Sequence, residues 1–278
     1  MIAGLDATTL IEIAALLIAA GAVTGVLAGL FGVGGGTITV PILFYVFGLL
    51  GLPEGVAMPL AVGTSLAIII PTSIKSARGH YAKGAVDMAL VKSWAVPIII
   101  GVVLGAIIAR FAAAWVFQAV FIMVAGSNAF KLLFGGEKWR LAEQMPQGPL
   151  SLFYGWLVGL ASSLMGIGGG AIANLIFTLH NKPIHNAVAT SAALGVLISI
   201  PGAAGYMLAG WGKAGLPADA LGFVSLIGFA LMVPTTLLTT GLGVRIAHSL
   251  SRRQLEVAFG LYLAVVSLRF ILRLAGIF

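Results

Sequence analysis

Ten apolar stretches, separated by short polar breaks, run the length of the chain: 9–31, 37–50, 56–76, 88–110, 115–134, 150–165, 171–179, 186–208, 221–244 and 255–274. A helix crossing the hydrocarbon core of a bilayer needs about 20 apolar residues, and most of these stretches are long enough. The second and seventh are short, which predicts half-helices or re-entrant arms. The one extended polar stretch, 135–149 (GGEKWRLAEQMPQGP), divides the chain nearly in half. It predicts a first membrane unit over 1–134, a linker over 135–149 and a second membrane unit over 150–278.

Both short stretches follow a cluster of glycines. Gly32-Val33-Gly34-Gly35-Gly36 precedes Thr37, and Gly166-Ile167-Gly168-Gly169-Gly170 precedes Ala171. Glycine costs about 1 kcal/mol per residue in a helix relative to alanine, so three in a row predict a break in the helix. The halves align beyond the clusters. Ala61-Val62-Gly63-Thr64-Ser65 matches Ala187-Val188-Ala189-Thr190-Ser191, Leu104-Gly105-Ala106 matches Leu242-Gly243-Val244, and the run from Phe121 to Lys131 matches that from Phe259 to Arg269. Repeats in the same order with similar spacing predict an internal duplication.

Charge orients the halves. The loop after the third stretch carries Lys75, Arg78, Lys83 and Lys92, and the loop after the fourth carries Arg110 alone. In the second half the pattern reverses: Lys213 and Asp219 in the third loop, Arg245, Arg252 and Arg253 in the fourth. Basic loops stay cytoplasmic, so equivalent loops lie on opposite sides and the repeats are inverted. That requires an odd number of crossings per half, met by five spans or by three spans and a re-entrant hairpin. Both termini then face outward. Every lysine and arginine except Arg110, Lys213, Arg269 and Arg273 faces the cytoplasm. The expected fold is an all-α integral membrane protein of about ten hydrophobic segments in two inverted repeats of five.

Composition narrows the class. Of 278 residues 60% are hydrophobic and 8% charged, against roughly a quarter charged in soluble domains. Mean hydropathy is +1.12. The formal charge of +7 reads as topogenic, with no nucleic-acid partner expected. The absence of cysteine excludes disulfide and thiolate chemistry. Asp6 and Glu12, with no basic region before them, argue against a signal peptide. Enzyme motifs are missing too: Thr37 and Ala171 stand where a dinucleotide fingerprint needs its last glycine, and no P-loop lysine follows either cluster. No metal or cofactor is expected.

The chemistry that remains is anion binding. Glycine lets the backbone unwind and a ligand approach closely, and a helix restarting after the break offers free N–H groups and the positive end of its dipole. In an inverted repeat the two breaks converge on one site near the midplane. The candidate substrate-binding residues are Gly34, Gly35, Gly36, Thr37, Gly168, Gly169 and Gly170. Hydroxyls of Thr64, Ser65, Thr190 and Ser191 are candidate donors, with Asn174 one turn into the seventh stretch and Arg78 at the cytoplasmic mouth. The competing explanations are ordinary: glycines allow close helix packing, and Ser and Thr bond back to their own helix. Helix packing explains Thr235, Thr236, Thr239 and Thr240 as well as a pathway does. No carboxylate relay is evident beyond Glu12.

The clusters Gly-Leu-Phe-Gly-Val-Gly-Gly-Gly (29–36) and Ser-Leu-Met-Gly-Ile-Gly-Gly-Gly (163–170), the Ala-Val-Gly-Thr-Ser and Ala-Val-Ala-Thr-Ser stretches, and Ser76-Ala77-Arg78-Gly79-His80 resemble those of the TauE/SafE family of membrane transporters. The resemblance covers essentially the whole chain. It implies a multi-pass permease of a bacterial or archaeal plasma membrane that moves small sulfur-containing anions (sulfite, sulfoacetate or other organosulfonates), usually outward. The second half reads Ala204-Gly205-Tyr206 where Arg78-Gly79-His80 stands in the first, so any role of Arg78 is single. The alternatives are a passive anion channel, a transporter of another small anion, and a structural membrane subunit. The expected partners are a small anion and the lipid bilayer, with homodimer formation left open.

Overall fold

The computed structural model of the protein describes residues 7–31, 35–135 and 140–277. Among them the named elements are ten helices: α1 (Ala7–Phe31), α2 (Gly36–Leu49), α3 (Glu54–Ala82), α4 (Met88–Phe111), α5 (Ala114–Phe134), α6 (Pro149–Met165), α7 (Gly170–Leu179), α8 (Ile184–Ala209), α9 (Leu226–Ser249) and α10 (Arg252–Leu274). Seven are long and apolar enough to cross a membrane: α1, α3, α4, α5, α8, α9 and α10. Helix α7, with 10 residues, extends about 15 Å, half of a hydrocarbon core about 30 Å thick. Large apolar side chains such as Ile100, Met123, Leu238 and Val265 point outward from the bundle, as a lipid-facing surface requires.

Polar contacts gather the helix ends into two groups. At one end Lys182 pairs with Asp87, Asn186 Nδ2 donates to Ala85 O at 3.2 Å, and Arg253 donates to the carbonyls of Leu132 and Leu133 at 2.9 and 2.8 Å. At the other end Arg273 pairs with Glu54 at 2.7 Å and Arg110 donates to Ala209 O at 2.9 Å. Helices α3, α5 and α9 therefore run from the Glu54 end to the Asp87 end, and α4, α8 and α10 run the other way. Equivalent helices of the two halves are antiparallel.

The remaining helices complete the pattern. Close approaches pair Gly21 of α1 with Met232 and Thr235, and Gly25 with Thr236 and Thr239, so α1 runs parallel to α9. Gly155 faces Trp94 and Gly159 faces Ile98, so α6 runs parallel to α4. Each first helix packs on the fourth helix of the opposite half, and α3 packs on α8 and α5 on α10. Thr236 and Thr239 hold this interface by donating to Gly21 O and Ala22 O at 3.1 and 2.9 Å. Helix α1 enters from the Glu54 end and α2 returns there. Helix α6 enters from the Asp87 end and α7 returns there. Each half is thus a helical hairpin (α1–α2 or α6–α7) followed by three helices of alternating direction.

Two expected boundaries move. Helix α3 continues to Ala82, six residues past the apolar stretch, so Lys75 and Arg78 lie on its last turns and not in a loop. A helix need not stop where its residues become polar, because its backbone bonds are already internal. Helix α9 begins at Leu226, not 221. Gly222 turns the chain with φ +57°, Phe223 O comes within 2.1 Å of where a Gly63 β-carbon would stand, and the helix starts only where Ser225 Oγ accepts Gly228 N–H at 3.0 Å.

Candidate substrate site

The two glycine clusters touch. A β-carbon on Gly36 would lie 2.5 Å from Gly166 O and 2.7 Å from Ile167 Cα, and one on Gly166 would lie 3.0 Å from Val62 Cα. Ile69 sits between them, within 2.8 Å of the same position on Gly36 and on Gly168. Gly168 O is 2.9 Å from the equivalent point on Gly195. The contact therefore lies beside the middle of α3 and α8, the most buried of the spans. No side chain larger than hydrogen fits at Gly36 or Gly166 without displacing backbone.

Each short helix starts the same way. Gly35 precedes α2 with φ 79° and ψ −16°, and Gly169 precedes α7 with φ 78° and ψ −14°. This left-handed conformation is costly for any residue with a β-carbon. The Gly35 carbonyl accepts Ile38 N–H, Thr39 N–H and the Thr39 hydroxyl at 2.9–3.0 Å, and the Gly169 carbonyl accepts Ala173 N–H at 2.9 Å. In front of each restart are first-turn N–H groups that helix geometry leaves without partners. Gly34 lies outside the described residues.

The other expected site residues divide. Thr37 lies in the first turn of α2; its carbonyl accepts the Tyr262 hydroxyl at 3.2 Å, and its own hydroxyl has no partner among the described residues. Gly170 opens α7, fully buried. Ser65 Oγ donates to Gly166 O at 2.8 Å, which fastens α3 to the second cluster. Ser191 Oγ lies 2.7 Å from Asn174 Oδ1 and 2.8 Å from Ala187 O, joining α8 to α7. The oxygens of Thr64 and Thr190 serve elsewhere: Thr64 Oγ1 accepts Ser225 N–H at 2.9 Å and Thr190 Oγ1 accepts Asp87 N–H at 3.1 Å. These two bonds fix the starts of α9 and α4. Arg78 is exposed on the last turns of α3, nine residues beyond Ile69, and is not brought to the clusters.

The sequence reading passed over two further groups. Thr24 on α1 is 1% exposed and Ser162 on α6 is 0% exposed, and neither hydroxyl has a partner among the described residues. Thr24 Cγ2 is 3.2 Å from the Gly35 β-position, and Ser162 Oγ is 3.8 Å from that of Gly169. Their spacing was the available signal: Thr24 stands eleven residues and Ser162 seven residues before the left-handed glycine, on the helix stripe that faces it.

A bundle of apolar spans in which two interrupted helices from inverted halves meet at their breaks is the architecture of a multi-pass membrane transporter. The chain belongs to the sulfite exporter TauE/SafE family, whose model matches residues 17–270. It is similar to a probable membrane transporter protein of Haemophilus influenzae, 32% identical over 259 residues that cover 93% of this chain and 98% of that one. It is also similar to a probable membrane transporter protein of Methanocaldococcus jannaschii, 29% identical over 266 residues, with 91% and 93% covered. A third, the probable membrane transporter protein YunE of Bacillus subtilis, is 25% identical over 230 residues, covering 70% and 78%. No solved structure matches the chain.

Proposed function

We propose that the protein is a secondary permease that exports small sulfur-containing anions, sulfite or organosulfonates, across a bacterial or archaeal plasma membrane. The substrate binds between the two glycine clusters, and the halves rock about it to give alternating access. The observation that carries this reading is the contact of Gly36 with Gly166 and Ile167, which joins two helix starts of matching left-handed geometry. Backbone N–H groups at such starts suit the three acceptor oxygens of a sulfonate or sulfite. The family name points to the same substrate class.

The charge pattern supports a cytoplasmic Asp87 end. Lys131, Lys182 and Arg253 gather there, and the tail of α3 adds Lys75 and Arg78. Three arginines lie on the disfavoured side, and each is held by the protein: Arg110 by Ala209 O, Arg269 over the Tyr45 ring at 5.0 Å, and Arg273 by Glu54 and the Phe44 ring.

The test uses purified protein and a panel of sulfite, sulfoacetate, taurine, sulfate, phosphate and chloride. The expected result is selective thermal stabilisation by a sulfite or sulfonate, and counterflow of that anion in proteoliposomes. Gly35→Val and Gly169→Val should abolish transport while the protein still inserts; normal transport by both would sink the glycine site. Equal stabilisation by chloride, with flux far above carrier turnover and no counterflow, would indicate a passive anion channel.

A further inference from the structure

The described residues contain five buried side-chain polar atoms without a hydrogen-bond partner: Thr24 Oγ1, Thr37 Oγ1, Ser162 Oγ, Gln118 Nε2 and Ser267 Oγ. Three of the five border the glycine clusters, and all three are hydroxyls. Ser162 Oγ lies 3.8 Å from the Gly169 β-position, Thr24 packs its methyl carbon Cγ2 against Gly35 at 3.2 Å, and Thr37 lies in the first turn of α2. A buried hydroxyl with no partner is unfavourable, and native proteins hold few of them. Here one comes from each of α1, α2 and α6, beside two helix starts whose N–H groups also lack helical partners.

We infer that Thr24 and Ser162, together with Thr37, are substrate ligands whose hydroxyls donate to the oxygens of an anion held between the clusters. The inference rests on the glycine-site reading above and adds the side-chain half of the donor set. A hydroxyl-bearing residue stands beside a cluster on the first helix of each half, at different positions of the same stripe. The neighbours of the cluster glycines named here, Thr24, Ala28, Thr39, Val40, Val62, Ile69, Val158, Ser162, Gly195 and Ile198, are all uncharged. Such a site compensates an anion through dipoles and hydrogen bonds. The cost of desolvating the ligand rises steeply with its charge, so the donor set fits a singly charged oxyanion such as a sulfonate better than sulfate.

The test measures two quantities on the purified full chain with Thr24→Val, Ser162→Ala, Thr37→Val and the conservative Thr24→Ser: the melting temperature without ligand, and the affinity for methanesulfonate and for sulfite by calorimetry. A ligand hydroxyl predicts a split. Removing it relieves an unsatisfied group, so Thr24→Val and Ser162→Ala should melt at or above the wild-type temperature. Each should weaken anion binding by roughly tenfold, the loss of one hydrogen bond to a charged group, and Thr24→Ser should retain it. A lowered melting temperature with unchanged affinity would make the hydroxyls structural and overturn the inference. If Gly169→Ala abolishes binding while Thr24→Val and Ser162→Ala bind normally, the hydroxyl assignment falls and the glycine site stands. If the wild type binds neither probe, both fall.

Discussion

Gly35 and Gly169 hold nearly the same backbone conformation, and each leans on the residues seven and eleven places earlier in the helix before it. At those places the first hairpin has Ala28 and Thr24, and the second has Ser162 and Val158. The backbone is duplicated and the side chains are not. A left-handed residue that must also admit close approach has no substitute for glycine, so both copies keep it. The hydroxyl residues differ in place, Thr24 at the earlier position of the stripe and Ser162 at the later. The caps of the fourth helices repeat the lesson: Leu90 N–H bonds Asp87 at 3.0 Å at the start of α4, and Gly228 N–H bonds Ser225 at 3.0 Å at the start of α9. The first cap is a carboxylate, whereas the second is a hydroxyl that itself donates to the Asp219 carboxylate, which also accepts Ile227 N–H at 3.2 Å.

The strongest way to break the symmetry is at the shared contact. Gly36→Val drives a side chain into Gly166 O and Ile167 Cα, backbone atoms that cannot rotate away. The cost should be about 3 kcal/mol or more, at the upper end for overpacking. The expected outcome is a large fall in melting temperature in detergent and loss of transport. Gly48→Val, where a β-carbon meets nothing within 4 Å, should leave both nearly unchanged.

A smaller effect is expected at the two threonines that hold the opposite half. Thr64→Val and Thr190→Val each deprive a backbone N–H of its acceptor, a loss of about 1–3 kcal/mol when the donor is buried. Ser225 is 3% exposed, whereas the Asp87 side chain is 35% exposed, so water can reach its surroundings. Thr64→Val should therefore lower the melting temperature more than Thr190→Val, with no anion present. Equal losses would mean that exposure at Asp87 does not soften the cost, and no loss in either variant would mean that neither bond holds its helix.

How far the sequence was legible follows the same divide. Three consecutive glycines cannot continue a helix, so both breaks and both short arms could be read directly from residues 32–36 and 166–170. The choice between five spans and a hairpin with three spans could not, because it depends on how deep the hairpin helices reach, and both choices return α2 and α7 to the end their hairpin entered. The start of α9 was hidden in the tertiary approach of Phe223 to Gly63. Arg78 looked close to the third stretch in sequence, but a helix rises about 1.5 Å per residue, and nine residues carry it well past the clusters. Thr24 and Ser162 resembled ordinary back-bonded hydroxyls in apolar helices. That they are unpaired is a property of the packed structure.

The finest probe separates the two caps by pH. Burial alone would raise the pKa of Asp87, but the hydrogen bonds from Lys182 and from the Leu90 N–H outweigh it and hold the carboxyl below its ordinary range. A carboxylate depressed in the folded state contributes stability that is present above its unfolded pKa. That contribution is lost as pH falls through the lowered folded value. The wild type should therefore lose stability on acidification below about pH 4, the ordinary aspartate value. Asp87→Asn keeps a good cap residue and removes only the charge. Because the Asp87 side chain is 35% exposed, the loss at neutral pH should be small, about 0.5 kcal/mol after screening, and acidification should cost the variant less than it costs the wild type. Ser225→Ala removes a hydroxyl and no charge, and leaves the Asp219 carboxylate on Ile227 N–H at 3.2 Å, so it should lower the melting temperature at pH 7.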